Sequence, residues 1–244
     1  MTVSSIEKVQ PLTIGIVASS AGASLQAAYE IFKGMNPGRL KLVIATDRQC
    51  GIEQYCKKAN IPHKRFSESS NEKLSKAVSN YFFSVGDLDV VLLFFLRLVT
   101  SDLFRALPTL NIHPSLLPEY KGFNAIERAL ADGAENLGAS IHMVDDRIDG
   151  GYIVAQTQNS LANTSKKSEV FSLSFCQKTY LTLWLFESMI GGRLRFDSDD
   201  TGEYKPLFLE RALEQKNVEE VNLSNKLEEA YRTYMSELGY SRFL

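Results

Sequence analysis

Residues 12–32 read LTIGIVASSAGASLQAAYEIF, and this stretch decides the fold. Leu12 to Ala18 is a short apolar run bearing Ile14, Ile16 and Val17, and it ends at the small residues Ser19 to Ser24. Leu25 to Phe32 then place apolar residues at helical spacing, so the whole reads as strand, tight loop, helix. A loop of this kind offers free backbone N–H groups at a helix N-terminus, which suit a phosphate or a carboxylate. The same small residues serve equally as a plain turn that lets helix and strand pack closely. A dinucleotide fingerprint needs three spaced glycines, and only Gly22 is present, which disfavours a nicotinamide cofactor.

The alternation continues downstream. Leu40 to Ala45 predicts a second strand, about 51–60 a helix stopped by Pro62, and Asp89 to Leu96 a strand apolar enough to be buried on both faces. Asn71 to Phe83 carries Leu74, Ala77, Val78 and Tyr81 at helical spacing. Repeated strand and helix units make this an α/β layered fold, in which ligands sit outside the carboxyl ends of parallel strands. Ser19 to Ser24, Phe95 to Val99 and Asn111 to His113 are expected to meet there. Lys57, Lys58, Lys64 and Arg65 read as a solvated face diluted by Glu53, Glu68 and Glu72. A long helix is expected from Lys167 to Ile190, with Trp184 in the core. Beyond it come a loop at Asp197 to Glu203 and one or two amphipathic helices over Glu210 to Leu238. The expected organisation is a polar tail at 1–11, a catalytic domain at 12–194 and a mainly helical extension at 195–244.

Composition bounds the function. A chain of 244 residues, 44% hydrophobic and 23% charged, is an ordinary globular protein. Its net charge of -2 gives no bulk attraction to nucleic acid or an anionic membrane. Cys50, Cys56 and Cys176 are too few and too irregular for a disulfide framework or a zinc site, so no metal is expected. The first residues lack a secretory pattern, and the longest apolar run, Val90 to Leu96, is far short of a membrane span. A cytoplasmic protein is expected, as a monomer or homodimer.

Chemistry concentrates between Leu110 and Gln156, where two of the three histidines fall. Thr109 to His113 predicts a strand, on which Asn111 and His113 point to one face. An amide donor and an imidazole on the same side suit a carbonyl oxygen that is becoming an oxyanion. Histidine also supplies a proton near neutral pH. If the strand from Ser140 to Val144 returns beside this face, the Asp149 carboxylate would stabilise the imidazolium and raise the His113 pKa. Read alone, His113 is better taken as a satisfied core histidine, and only with Asn111 and Asp149 beside it do the structural and catalytic readings balance, while His142, alternating with Ile141 and Met143, fits a structural role.

The series Asn111-Ile112-His113-Pro114-Ser115-Leu116-Leu117-Pro118, then Ser140-Ile141-His142-Met143-Val144, then Ile148-Asp149-Gly150-Gly151-Tyr152-Ile153-Val154-Ala155-Gln156, resembles the catalytic core of the folate-dependent formyltransferases. The resemblance runs from about 12 to 194 and implies a Rossmann-like, mostly parallel sheet with helices on both faces. It implies Asn111, His113 and Asp149 as catalytic residues, His142 as structural support and Ser140 as the holder of a water. A folate-binding segment is implied at Phe95, Leu96, Arg97, Leu98 and Val99, with a second wall in the loop from Val144 to Asp149, at Val144, Asp145 and Asp146. The cosubstrate implied is 10-formyltetrahydrofolate, whose formyl group a small-molecule amine would take.

Departures from the family pattern bear on that amine. The acceptor loop is expected at Ser20, Gly22, Ala23 and Ser24, but a family glycine and asparagine are replaced there. A family arginine falls on Glu72, and two ribotide-gripping residues fall near Phe175 and Lys178. A carboxylate in place of a cation repels a phosphate. The acceptor expected is therefore a hydroxylated ornithine or an amino sugar, set against the glycinamide ribotide of purine biosynthesis. A 10-formyltetrahydrofolate hydrolase is disfavoured because only about eleven residues precede Leu12, and a non-catalytic folate-binding protein has no use for all three of Asn111, His113 and Asp149.

Overall fold

In a computed structural model, residues 10–162, 164, 166–208 and 221–244 are described. The chain alternates β1 (Leu12–Ala18), α1 (Ala23–Met35), β2 (Leu40–Thr46), α2 (Gly51–Ala59), β3 (His63–Arg65), α3 (Asn71–Val85) and β4 (Val90–Phe94). It continues through α4 (Ser101–Phe104), β5 (Thr109–His113), α5 (Ala125–Ala131), β6 (Asn136–Met143), β7 (Ile153–Ser160) and α6 (Lys167–Ile190). A hairpin of β8 (Leu194–Ser198) and β9 (Tyr204–Phe208) precedes α7 (Asn225–Glu237).

The main sheet has seven strands in the order β3-β2-β1-β4-β5-β6-β7. Strands β1 to β5 are parallel, whereas β6 runs antiparallel to β5, and β7 antiparallel to β6. The strand order reverses between β1 and β4, which opens a crevice at their carboxyl ends. Continuous apolar runs in the parallel strands follow from cover on both faces. On one face Ile14, Ile16, Leu92, Leu110 and Ile141 pack with α1, α2, α6 and α7. On the other, Val17, Val43, Val91 and Leu93 pack with α3 and α4.

Several expected boundaries fall where the sequence put them, with β4 shorter and ending at Phe94. The extension carries the expected helix, α7, and in addition begins with the β8–β9 hairpin, so that the expected loop narrows to 199–203. The hairpin side chains are mostly exposed, so no apolar period marked them. The first part of the expected helix over Glu210 to Leu238 lies outside the described residues, as does most of the N-terminal tail. Helix α7 sends Leu227, Tyr231 and Met235 into the main core, and the Tyr231 hydroxyl donates to the Cys176 carbonyl at 3.2 Å. Arg65 of the basic cluster is paired with Glu53, and Lys64 lies over the Phe66 and Tyr81 rings. No helix among the described residues is long and apolar enough to cross a membrane.

Candidate active site

Asn111 and His113 project from one face of β5, and the antiparallel register sets His142 opposite Asn111 and Ser140 opposite His113. Directly opposite residues in an antiparallel pair share a face, so the four polar side chains are neighbours by strand geometry alone. The loop between β6 and β7 then folds back to place Asp149 among them. Asp149 Oδ2 lies 3.3 Å from His113 Nδ1, and Oδ1 lies 3.3 Å from both His142 Nε2 and the Asn111 amide nitrogen. Asp149 holds a left-handed backbone, φ 44°, which Asp tolerates better than most residues. The turn continues through Gly151, where a Cβ would meet the Met143 carbonyl oxygen at 2.0 Å. Only glycine fits that approach.

Each member of the cluster is fixed a second time. His113 Nε2 is 2.9 Å from the Tyr120 carbonyl oxygen, His142 Nδ1 is 2.8 Å from that of Met143, and the Gly122 N–H donates to Asp149 Oδ2 at 2.7 Å. His113 therefore faces two acceptors, which suit an imidazolium. Burial nevertheless pushes its pKa below the ordinary imidazole value, against the upward pull of Asp149 and the Tyr120 carbonyl. This corrects the expected direction: Asp149 does raise the pKa, but with His113 only 5% exposed the loss of hydration is larger. Burial also pushes the Asp149 carboxyl up, but His142, the Gly122 N–H and His113 outweigh it and hold the carboxyl at about 2. Asp149 is thus a carboxylate at any physiological pH.

Ser140 is placed for a different task from holding a water. Its hydroxyl donates to the Ser115 carbonyl at 2.7 Å and accepts from the Leu117 N–H at 3.0 Å and Gln156 Nε2 at 2.7 Å. One donor and two acceptor positions are all a hydroxyl has, so it ties the 115–117 loop to β6 and β7.

The cluster lies in a cleft of about 540 Å³ at the strand-order reversal. Phe95 to Val99 and Val144 to Asp146 line it with Asn111, His113, His142 and Asp149, as the sequence placed them. Phe95, Val99 and Val144 are backed by the α3 and α4 core. Leu96, Leu98, Phe123 and Ile148 lie around the cleft at 48–65% exposure, apolar surface that suits a flat aromatic ligand. The Arg97 guanidinium is spent on the Asn71 side chain and the Glu68 and Ser69 carbonyls, and Asp146 is paired with Arg105.

Of the expected acceptor loop, only Ser20 lines this cleft. Gly22 has φ 62° at the start of α1, and a Cβ there would meet the Ile52 side chain at 2.7 Å, so its glycine answers a tight turn. Ala23 is exposed and Ser24 is buried in α1, while Glu72 is exposed in the first turn of α3, outside the cleft lining. Sequence reasoning missed Tyr120, Gly122 and Phe123, whereas Ile148, in the loop expected as the second wall, and Lys178, near which a ribotide-gripping residue of the family falls, both line the cleft. For the first two the usable signal was weak: a Gly just beyond a Pro-bounded loop, whose neighbours Tyr120 and Asn124 adopt positive φ.

Residues 13–172 match the family described as "Formyl transferase". The chain is 29% identical over 188 residues to a phosphoribosylglycinamide formyltransferase of Haemophilus influenzae, covering 75% of this chain and 89% of that one. It is 31% identical over 159 residues to the Escherichia coli protein of the same name, covering 60% and 72%. A crystal structure of glycinamide ribonucleotide transformylase 1 from Symbiobacterium toebii superposes with a TM-score of 0.69 at 25% identity, covering 78% of this chain and 92% of that one.

Proposed function

The chain belongs to the formyl transferase family, and from that premise we propose that it moves the formyl group of 10-formyltetrahydrofolate to the amine of a small-molecule acceptor at Asn111, His113 and Asp149. The observation that carries this reading is the position of that trio at the base of a cleft with exposed apolar walls. The walls suit the pterin, and the polar base suits the formyl group.

The neutral amine nitrogen attacks the formyl carbon, and the carbonyl π electrons move to oxygen. Asn111 and His113 hold that oxyanion, with the imidazolium form of His113 as the stronger donor. To serve it, Asn111 turns an N–H from Asp149 into the cleft. Asp149 favours the charged form of His113 against burial, which the developing oxyanion then tips toward the imidazolium, and, through a water, carries a proton from the attacking nitrogen to the departing folate nitrogen. The carbon–nitrogen bond to folate then breaks, giving the N-formyl acceptor and tetrahydrofolate. Binding both partners in one cleft supplies the proximity that the reaction lacks in solution.

The acceptor is a separate question. The named relatives make phosphoribosylglycinamide the first amine to test. The sequence of the Ser19–Ser24 loop supports a different one, and a hydroxylated ornithine and an amino sugar belong in the same panel. The test incubates the protein with 10-formyltetrahydrofolate and each amine, and follows tetrahydrofolate release and the N-formyl product. Release that depends on one amine is the expected result. Release without any amine would mean hydrolysis, and no release would make this a binding protein.

A further inference from the structure

Lys178 is the cation of the cleft that the mechanism leaves unused. It lies on α6 and lines the cleft together with Ser20, Asn111 and Ile112. Among the described residues no carboxylate is within ion-pair distance of its ammonium, and burial alone acts on it, pushing its pKa down. The other cations there are engaged, Arg97 on three oxygen acceptors and Arg147 on Asp145, and the His113 ring is held between Asp149 and the Tyr120 carbonyl. A desolvated ammonium without a counter-charge is costly, and an arriving oxyanion relieves that cost through charge-assisted hydrogen bonds.

Position decides whose anion it is. The apolar wall of Phe95, Val99 and Val144 is backed by α3 and α4 on one face of the sheet. Helix α6 covers the opposite face, where its Cys176 and Leu181 pack in the core with α1. Lys178 thus reaches the cleft from the side away from that wall, and Ser20, from the loop between β1 and α1, lines the same cleft.

We propose that Lys178 is the specificity residue for the acceptor, holding an anionic oxygen group, carboxylate or phosphate, carried by the amine. This rests on the formyl-transfer reading above. It places the anion on the far side of the trio from the folate rings, so one end of the acceptor is anchored while its amine faces the formyl carbon.

The test uses matched amines that differ by one anionic group: phosphoribosylglycinamide and its riboside, glucosamine 6-phosphate and glucosamine, ornithine and putrescine. The full chain, Lys178→Met and Lys178→Arg are compared at saturating 10-formyltetrahydrofolate. The wild type is expected to favour the anionic member of at least one pair. Lys178→Met should remove about 10- to 100-fold of that preference through the acceptor KM, with the donor KM unchanged and Lys178→Arg retaining part. The pair that responds tells phosphate from carboxylate. An equal preference in Lys178→Met, a raised donor KM instead, or an equal fall in kcat for charged and uncharged amines would overturn the proposal. If no amine is formylated, the formyl-transfer reading fails by itself. Lys178 is then judged by calorimetric titration with inorganic phosphate and with acetate. A loss of about 10-fold or more in affinity in Lys178→Met supports anion capture there, whereas equal binding or none in both proteins overturns it.

Discussion

Asp149 Oδ2 lies 3.3 Å from Nδ1 of His113, on the side of the ring opposite the Tyr120 carbonyl. The imidazole is thus held between two acceptors in a place from which water is largely removed. The two influences oppose each other: the acceptors favour the charged ring and burial the neutral one, with burial the larger in the free protein. In the proposed transfer, a developing oxyanion in the cleft would add a third negative partner and shift that balance toward the imidazolium.

The first prediction concerns this balance. His113 should titrate below the ordinary imidazole value of 6.5, and Asp149→Asn should lower it further by removing the opposing carboxylate. Titrating the His113 ring signals by NMR in both proteins checks this, and a rise in the variant would contradict it.

Stability in acid follows from the same two groups. Both have folded-state pKa values below their unfolded ones. The His113 contribution is complete above 6.5 and is lost as pH falls through its depressed folded value. The Asp149 contribution is complete above 3.8 and is lost as pH falls through about 2. Asp149→Asn should therefore lose less stability than the wild type between pH 4 and pH 2, as followed by chemical denaturation. Parallel losses would count against the carboxylate's assigned role.

Ser140→Ala tests the loop anchor. It leaves the buried Leu117 N–H and Ser115 carbonyl without their partner, at a cost of about 1–3 kcal/mol. For a chain of this size that is a fall of roughly 2–12 °C in Tm. A serine needed for a water would instead lower kcat with Tm unchanged.

Gly151→Ala should be more damaging than its size suggests. The new Cβ would approach the Met143 carbonyl oxygen to 2.0 Å, a contact with backbone that no side-chain rotation relieves. We expect a loss of at least about 3 kcal/mol, or failure to fold, measured by thermal melting. Gly34→Ala in α1 is the mild control, because a Cβ there would meet nothing within 4 Å. Equal effects from the two would contradict this reading.

The sequence made the parallel half of the fold legible because those strands are short apolar runs bounded by turn residues, as at Leu12–Ala18 and Thr109–His113. It also placed Asn111 and His113 on one face, since a two-residue spacing on a strand permits nothing else. It did not reveal the β8–β9 hairpin, whose residues are mostly exposed and lack an apolar period. Nor did it reveal Tyr120 and Gly122, which act through backbone atoms and leave no side-chain signature. Lys178 was marked only loosely: the family resemblance sets a ribotide-gripping residue near it, but on a helix read as core nothing in the spacing tells that this residue opens into the cleft. The direction of the His113 shift required burial, which only the folded chain supplies.

The central claim is that His113 takes part in formyl transfer from folate. Single-turnover transfer from 10-formyltetrahydrofolate to the amine selected from the panel tests it most directly, with wild type and His113→Ala compared by product formed per enzyme. The account predicts tetrahydrofolate and N-formyl product in equal amounts from the wild type, and a rate lower by about 10²-fold or more in His113→Ala with its fold intact. An unchanged rate in the variant would contradict it.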